Sequence, residues 1–289
     1  MRWFTYQINI ILLGFLCAQI AFANIDDAAS GKQIMQEVYS RHEQFPYVYE
    51  EQSIILQDKT GKRDTRRAKR YSRAEEDGTV KFLLLFEHPE EVRGVAVLAK
   101  RDEAGNIIKQ LYLPAYGEQL FESLGGANED NFLGTDFSVE NLTGENLSDY
   151  FYERQQDKLI KGKLHYVVNV FKKEGVHPSP LRRHFIQRDN LFITLTYHFD
   201  KAGRISRIQS QHDLKPVYGD KWRANMILME DKKEQHQSLI KISHRVFSKD
   251  YVPAEVFKPE WLFETYPHIE PKVTEEEQVI NLFGEVISE

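Results

Sequence analysis

The feature that most constrains this chain is a two-residue hydrophobic rhythm that recurs from about residue 47 to residue 247. In "LHYVVNVF", Leu164, Tyr166, Val168 and Val170 alternate with His165 and Asn169. In "FITLTYHF", Ile193, Leu195, Tyr197 and Phe199 oppose Thr194, Thr196 and His198. In "SLIKISHRVF", Ile240, Ile242, His244 and Val246 oppose Lys241, Ser243 and Arg245. Side chains alternate across a strand, so each segment has one apolar and one polar face, as in an antiparallel sheet with a single wetted side. Glycines at 61, 105, 162 and 203 fall between such runs, where a hairpin needs positive φ. About ten strands are expected, joined largely as a meander. No strand–helix–strand alternation is present, which argues against a parallel-sheet enzyme.

"KFLLLFEHP" and "GVAVLAKRD" break the rhythm by being continuously apolar, which predicts strands covered on both faces. Helices are expected only at the margins. "ASGKQIMQEVYSRHEQF" carries Ile34, Met35, Val38, Tyr39 and His42 along one face, with Ser30 as its cap and Pro46 as its stop. "PAEVFKPEWLFE" reads as a short turn or helix, and Thr274 to Glu277 form a capping box before an amphipathic tail.

A sheet of this size with one apolar side must hide that side, and with few helices it does so by curling on itself. The expected fold is mainly β (α+β), a strongly curved antiparallel open sheet. Its interior is expected to be lined by Leu84, Phe86, Leu111, Leu113, Val168, Val170, Leu195, Tyr197, Ile240 and Ile242. Such an interior is either filled by side chains or left to take a ligand.

Ahead of this domain, Arg2, the apolar run Ile8 to Ile20 and the small-x-small triplet at 21–23 have the form of a cleaved secretory signal. The expected organisation is a signal peptide at 1–23, one domain at 24–265 and an acidic C-terminal extension at 266–289 whose helix docks on the domain. The chain's one cysteine, Cys17, lies in the signal, so no disulfide is expected. The formal net charge of −6 argues against nucleic-acid binding. Lys59 to Arg73 nevertheless holds eight basic residues and one acidic one, read as a solvated strand face.

The motifs of chemistry are largely missing. The ten histidines show no His-Glu-x-x-His or His-x-His spacing, and no nucleophile elbow or phosphate loop occurs. No metal or cofactor is therefore expected. Asp136 and Glu140 in "NFLGTDFSVENL" have the residue types of an acid–base pair, but they serve equally as the cap and first-turn acid of a short helix. The second reading is preferred: a plug or lid with Phe132, Phe137 and Leu142 as its apolar contacts, Gly134 as its bend and Asp136 as its cap.

Several segments resemble the outer-membrane lipoprotein-sorting (LolA-like) family, in its longer branch often found beside RND-type exporters. The likeness runs in order through "GKQIMQEVYSRHE", "ILQDKTGKRDTR", "FLLLFEHPEEVRGVAVL", "LYLPA", "FLGTDFSVENL", "LTYHFDKAGRISRI", "WRANMILMED" and "PAEVFKPEWL". Its sharpest pieces are Phe86-x-x-Pro89-x-x-x-Arg93-Gly94 and the Phe-Leu-Gly-Thr-Asp-Phe segment. After "LYLPA" the family commonly runs basic, whereas this chain continues "YGEQLFESLGG". The resemblance implies a half-barrel with helices plugging its mouth and a periplasmic location. It also implies a non-enzymatic carrier for lipid or lipoprotein acyl chains, with an inner-membrane RND-type exporter as a partner. The alternative is a periplasmic accessory or sensor module that docks on an RND-type exporter or a signalling partner without carrying cargo.

Overall fold

The computed structural model describes residues 28–42, 45–103, 106–122, 132–137, 147–173, 175 and 178–267. The signal segment, Glu140, Leu142 and the tail with its capping box lie outside these residues.

Thirteen strands form one antiparallel sheet. They are β1 (Tyr47–Gln57), β2 (Arg63–Ala74), β3 (Val80–His88), β4 (Ala96–Arg101), β5 (Ile107–Tyr112), β6 (Leu120–Glu122), β7 (Tyr150–Ile160), β8 (Lys163–Lys172), β9 (Arg182–Gln187), β10 (Phe192–Phe199), β11 (Ile205–Tyr218), β12 (Lys221–Asp231) and β13 (His236–Val246). The spatial order is β6-β5-β4-β3-β2-β1-β13-β12-β11-β10-β9-β8-β7. Two meanders thus run outward from the β1–β13 pair, and the segment between β6 and β7 links the two sheet edges. The count exceeds the expected ten by three, in part because β6 is only three residues long and β11 is too polar to show a rhythm.

Helix α1 (Gly31–His42) starts as its sequence predicts. The Gln33 backbone N–H donates to Ser30 Oγ at 3.3 Å, and the Ser30 N–H donates to Gln33 Oε1 at 2.8 Å, a reciprocal cap. Ile34, Met35 and Val38 bury against Tyr166, Val168 and Ile186 on one face of the sheet, hereafter the inner face. Gly31 is required for this approach, because a Cβ there would lie 2.8 Å from the Tyr152 carbonyl oxygen.

Strands β3 and β4 are covered on both sides. Phe82, Leu84, Phe86, Val97 and Ala99 face inward, while Leu83, Leu85, Ala96 and Leu98 pack with Tyr112 under Val256 and Leu262. The last two belong to a 3-10 turn (Ala254–Phe257) and helix α2 (Pro259–Thr265), which together cover the back of the sheet. The Phe86…Gly94 motif is a structural clasp. The Gly94 N–H donates to the Phe86 carbonyl at 2.9 Å, and a Cβ on Gly94 (φ 80°) would sit 2.9 Å from Pro114 Cγ.

Bulges modify two alternations read from the sequence. In β13 the register slips opposite Glu51/Gln52, which carries Arg245 onto the inner face beside Ile240 and Ile242. In β10 it slips between Ile193 and Leu195. Thr196 then pairs with His184, which pairs with Val168, so this polar row lies on the inner face. Leu195 and Tyr197 consequently point to the outer face, where Tyr197 stacks edge-on against Phe185 at 5.0 Å. They do not share an interior with Val168 and Val170, contrary to expectation.

Candidate functional site

The inner face is built from register rows that cross most of the sheet. One row runs Val168, His184, Thr196, Gln209, Met229, Ser238 and Leu56, each paired with the next on the neighbouring strand. It joins two apolar lobes. The larger lobe gathers Ile54, Leu56, Leu84, Phe86, Leu111, Ile240 and Ile242, with Leu113 packed alongside. The smaller lobe is the patch around Tyr166, Val168 and Ile186 under α1. Val170, fully buried, continues that face next to Tyr152 and Arg182. Eight of the ten expected lining residues therefore share this face.

The larger lobe is crossed by residues 132–137. Leu133 and Phe137 bury within it, at 1% and 2% exposure. Leu133 holds φ 50°, ψ 41°, a left-handed conformation that costs a leucine about 1–2 kcal/mol. Burying the side chain returns a gain of similar size. Gly134 follows at φ 74° and is exposed. Of Phe132 only the backbone, in the 3-10 turn, is described.

Polar side chains pin this strap to three strands. Arg66 on β2 donates to the Leu133 carbonyl at 2.6 Å. Arg207 on β11 donates to the Asp136 carbonyl at 3.1 Å. Ser238 on β13 accepts from the Asp136 N–H at 2.9 Å and donates to Asp136 Oδ2 at 2.7 Å. His236 Nδ1 lies 2.8 Å from the same carboxylate oxygen. Asp136 is thus a latch between strap and sheet, and the helix it was expected to cap lies outside the described residues. Both Ser238 and His236 bond directly to Asp136, so the histidine does not stand between serine and carboxylate as a nucleophilic triad requires.

The latch draws on residues the sequence reading did not single out. Leu133 was hidden between two more conspicuous aromatics. Ser238 is legible as the polar member of the two-residue series Ser238, Ile240, Ile242. The basic run is not simply a solvated face: alternate residues Arg66 and Arg70 turn inward, while Arg63 and Arg67 stay exposed.

At the opposite end of the strands lies a buried ion cluster. Glu50, 4% exposed, accepts from Arg245 Nε at 2.6 Å, Arg70 at 3.1 Å and Gln52 Nε2 at 2.7 Å. Arg245 also reaches Asn225 Oδ1 and the Ala224 carbonyl. Burial pushes the Glu50 carboxyl upward, but the two guanidiniums outweigh it and hold its pKa down at about 2. His42, at the end of α1, accepts from the Trp222 N–H at its Nδ1, so its Nε2 proton faces the Asn190 carbonyl at 3.1 Å. Burial lowers its pKa to about 4. Among the described residues, no group of three or more His, Cys, Asp or Glu is placed to hold a metal ion. No helix among them is long and apolar enough to cross a membrane.

An open, strongly curved antiparallel sheet with helical cover on its inner face defines the LolA-like half-barrel class, and comparison with known structures agrees. A candidate outer membrane lipoprotein-sorting protein domain from Vibrio parahaemolyticus superimposes with a TM-score of 0.72 at 20% identity, covering 80% of this chain and 97% of that one. A LolA superfamily protein from Nitrosomonas europaea gives 0.63 at 16% identity, covering 81% of this chain and 100% of that one. No curated protein sequence gives a significant match. The profile of a family described as "Uncharacterized protein" matches residues 78–264, more than half of the chain, which belongs to that family.

Proposed function

We propose that the protein is a periplasmic carrier or chaperone that shelters the acyl chains of a lipid or lipoprotein on its inner face and performs no chemistry on them. The observation that carries this reading is the cover of the larger lobe. Leu133 and Phe137 occupy it as a removable apolar insert, tied by side-chain hydrogen bonds instead of strand pairing. An acyl chain entering the lobe replaces one apolar insert with another, so the face is never left wet. At about 0.8 kcal/mol per buried CH₂, a sixteen-carbon chain gains on the order of 13 kcal/mol before association costs. Cargo of that affinity leaves only when an acceptor reshapes the site, which gives the strap its use. The fold shared with lipoprotein-sorting domains supports this reading, as does the leader at 1–23, whose form fits export to the periplasm.

The test is uptake of a fluorescent long-chain acyl probe by the purified mature protein. Saturable binding, displaced by unlabelled lipid, is expected. Folded protein that takes up no probe rules the carrier reading out.

A second reading, an accessory module of an inner-membrane RND-type exporter, is favoured by the tip of the β7–β8 hairpin. There the paired residues Leu159 and Leu164 are 72% and 41% exposed. Cross-linking from this tip that captures such an exporter, with no lipid in the protein, would support it over the first.

A further inference from the structure

Between the two apolar lobes the inner face turns polar. On β9 and β10, Thr196 pairs with His184 and His198 pairs with Arg182, which makes the two histidines diagonal neighbours on one side of the sheet. Strand β11 adds Gln209 opposite Thr196 and Arg207 opposite His198. His184 Nδ1 lies 2.9 Å from Thr196 Oγ1. With the threonine hydroxyl donating to Nδ1, the imidazole proton of His184 is left on Nε2, the tautomer that can serve a ligand. That Nε2 is buried and has no hydrogen-bond partner, and the same holds for His198 Nε2. Buried polar atoms are nearly always paired, and two unpartnered imidazole nitrogens on diagonally adjacent histidines, the His198 ring keeping a side-chain hydrogen bond with Gln209, are a costly arrangement for a core to keep without a use.

We propose that His184 and His198 form a head subsite in which their Nε2 atoms engage the carbonyl oxygen of an acyl ester or amide, the group joining a fatty chain to its glycerol or protein. This rests on the carrier reading and names the part of the cargo that is recognised chemically. The position fits, because a chain lying along either lobe brings its head to the seam between them. The charge state fits as well. Burial, reinforced by Arg182, keeps both imidazoles neutral, with His198 held down at about 3. A neutral N–H suits a neutral carbonyl better than a phosphate, whose charge would have to be buried with it. Access is tied to the strap, since Arg207 both holds the Asp136 carbonyl and stands opposite His198 in the register. Displacing residues 132–137 therefore uncovers the seam from its Arg207 side.

The test compares two probes with the same eighteen-carbon chain and glycerol head, monooleoylglycerol and its ether analogue without the carbonyl. Wild-type protein is expected to bind the ester about five- to tenfold more tightly, the worth of one buried hydrogen bond. His184→Phe and His198→Phe should erase that preference while keeping affinity for the ether. His184→Gln, which keeps an N–H near the Nε2 position, should restore part of it. Equal binding of ester and ether by wild-type protein overturns the subsite and leaves the carrier reading intact. Binding of neither overturns both. Tighter binding of oleate, with imidazole NMR shifts showing protonated histidine, overturns the neutral-carbonyl assignment in favour of an anionic head. This comparison uses unaltered protein and survives any variant that fails to fold. Diacylglycerol against a synthetic triacylated lipopeptide then tells whether a glycerolipid or a lipoprotein supplies the carbonyl, and a preference for either is consistent with the subsite.

Discussion

Glu50→Gln is the substitution whose effect follows most directly from the structure. The native carboxylate is buried between Arg70 and Arg245, and Gln52 supplies a further hydrogen bond to it. The amide keeps the shape and loses the charge, so two guanidiniums face a neutral group in the interior. Breaking a buried ion pair from one side costs about 3–5 kcal/mol. The pKa gives an independent figure. A carboxyl at about 2 when folded and 4.5 when unfolded contributes about 3 kcal/mol at neutral pH, at about 1.4 kcal/mol per unit. Because the folded pKa is depressed, the unfolded chain binds the proton first. The contribution is therefore complete above pH 4.5 and is lost as the pH falls toward 2. Urea unfolding of wild type and Glu50→Gln should differ by about 3 kcal/mol at pH 7 and by about 1 kcal/mol at pH 3. A difference below about 1 kcal/mol at pH 7, or a gap that does not narrow on acidification, would refute this reasoning.

Three further outcomes are expected. Ser238→Ala removes both hydrogen bonds to Asp136, so it should cost about 2–4 kcal/mol, accelerate amide exchange at residues 132–137 and speed acyl-probe uptake; slower uptake would contradict the latch. Gly31→Ala places a Cβ 2.8–2.9 Å from the Tyr152 and Arg154 backbone, so it should lower stability by about 1–3 kcal/mol in thermal melts, even though alanine is the better helix former. His42, with its folded pKa lowered to about 4, makes stability fall as the pH drops below 6.5, because the unfolded imidazole protonates first. At pH 5 the loss from this group is about 2 kcal/mol, and His42→Gln should flatten that part of the stability–pH curve.

The fold was legible where a single physical signal governed a whole element. The two-residue rhythm of β8, the unbroken apolar runs of β3 and β4, and the Ser30/Gln33 cap of α1 each have one structural solution, which the chain adopts. The rhythm misleads wherever a bulge intervenes, since one extra residue reverses every later side chain. That is how Arg245 reached the inner face and Leu195 and Tyr197 left it. Burial of Arg66 and Arg70 was likewise invisible, because a basic run declares its charge but not which alternate members find internal partners. The strap was recognisable from Phe137 and Gly134. Its anchors were not, since Ser238 and His236 lie about a hundred residues away and meet Asp136 only once the two meanders close at β1 and β13.

The central claim is that the inner face carries acyl cargo. Native mass spectrometry of protein purified gently from the periplasm tests it most directly. The carrier reading predicts a species heavier than the mature chain that releases a long-chain acyl lipid or lipoprotein on extraction, with the bound fraction raised in variants that weaken the latch on the competing strap, such as Ser238→Ala. Bare mature chain alone, from cells and after incubation with lipid extract, would contradict it.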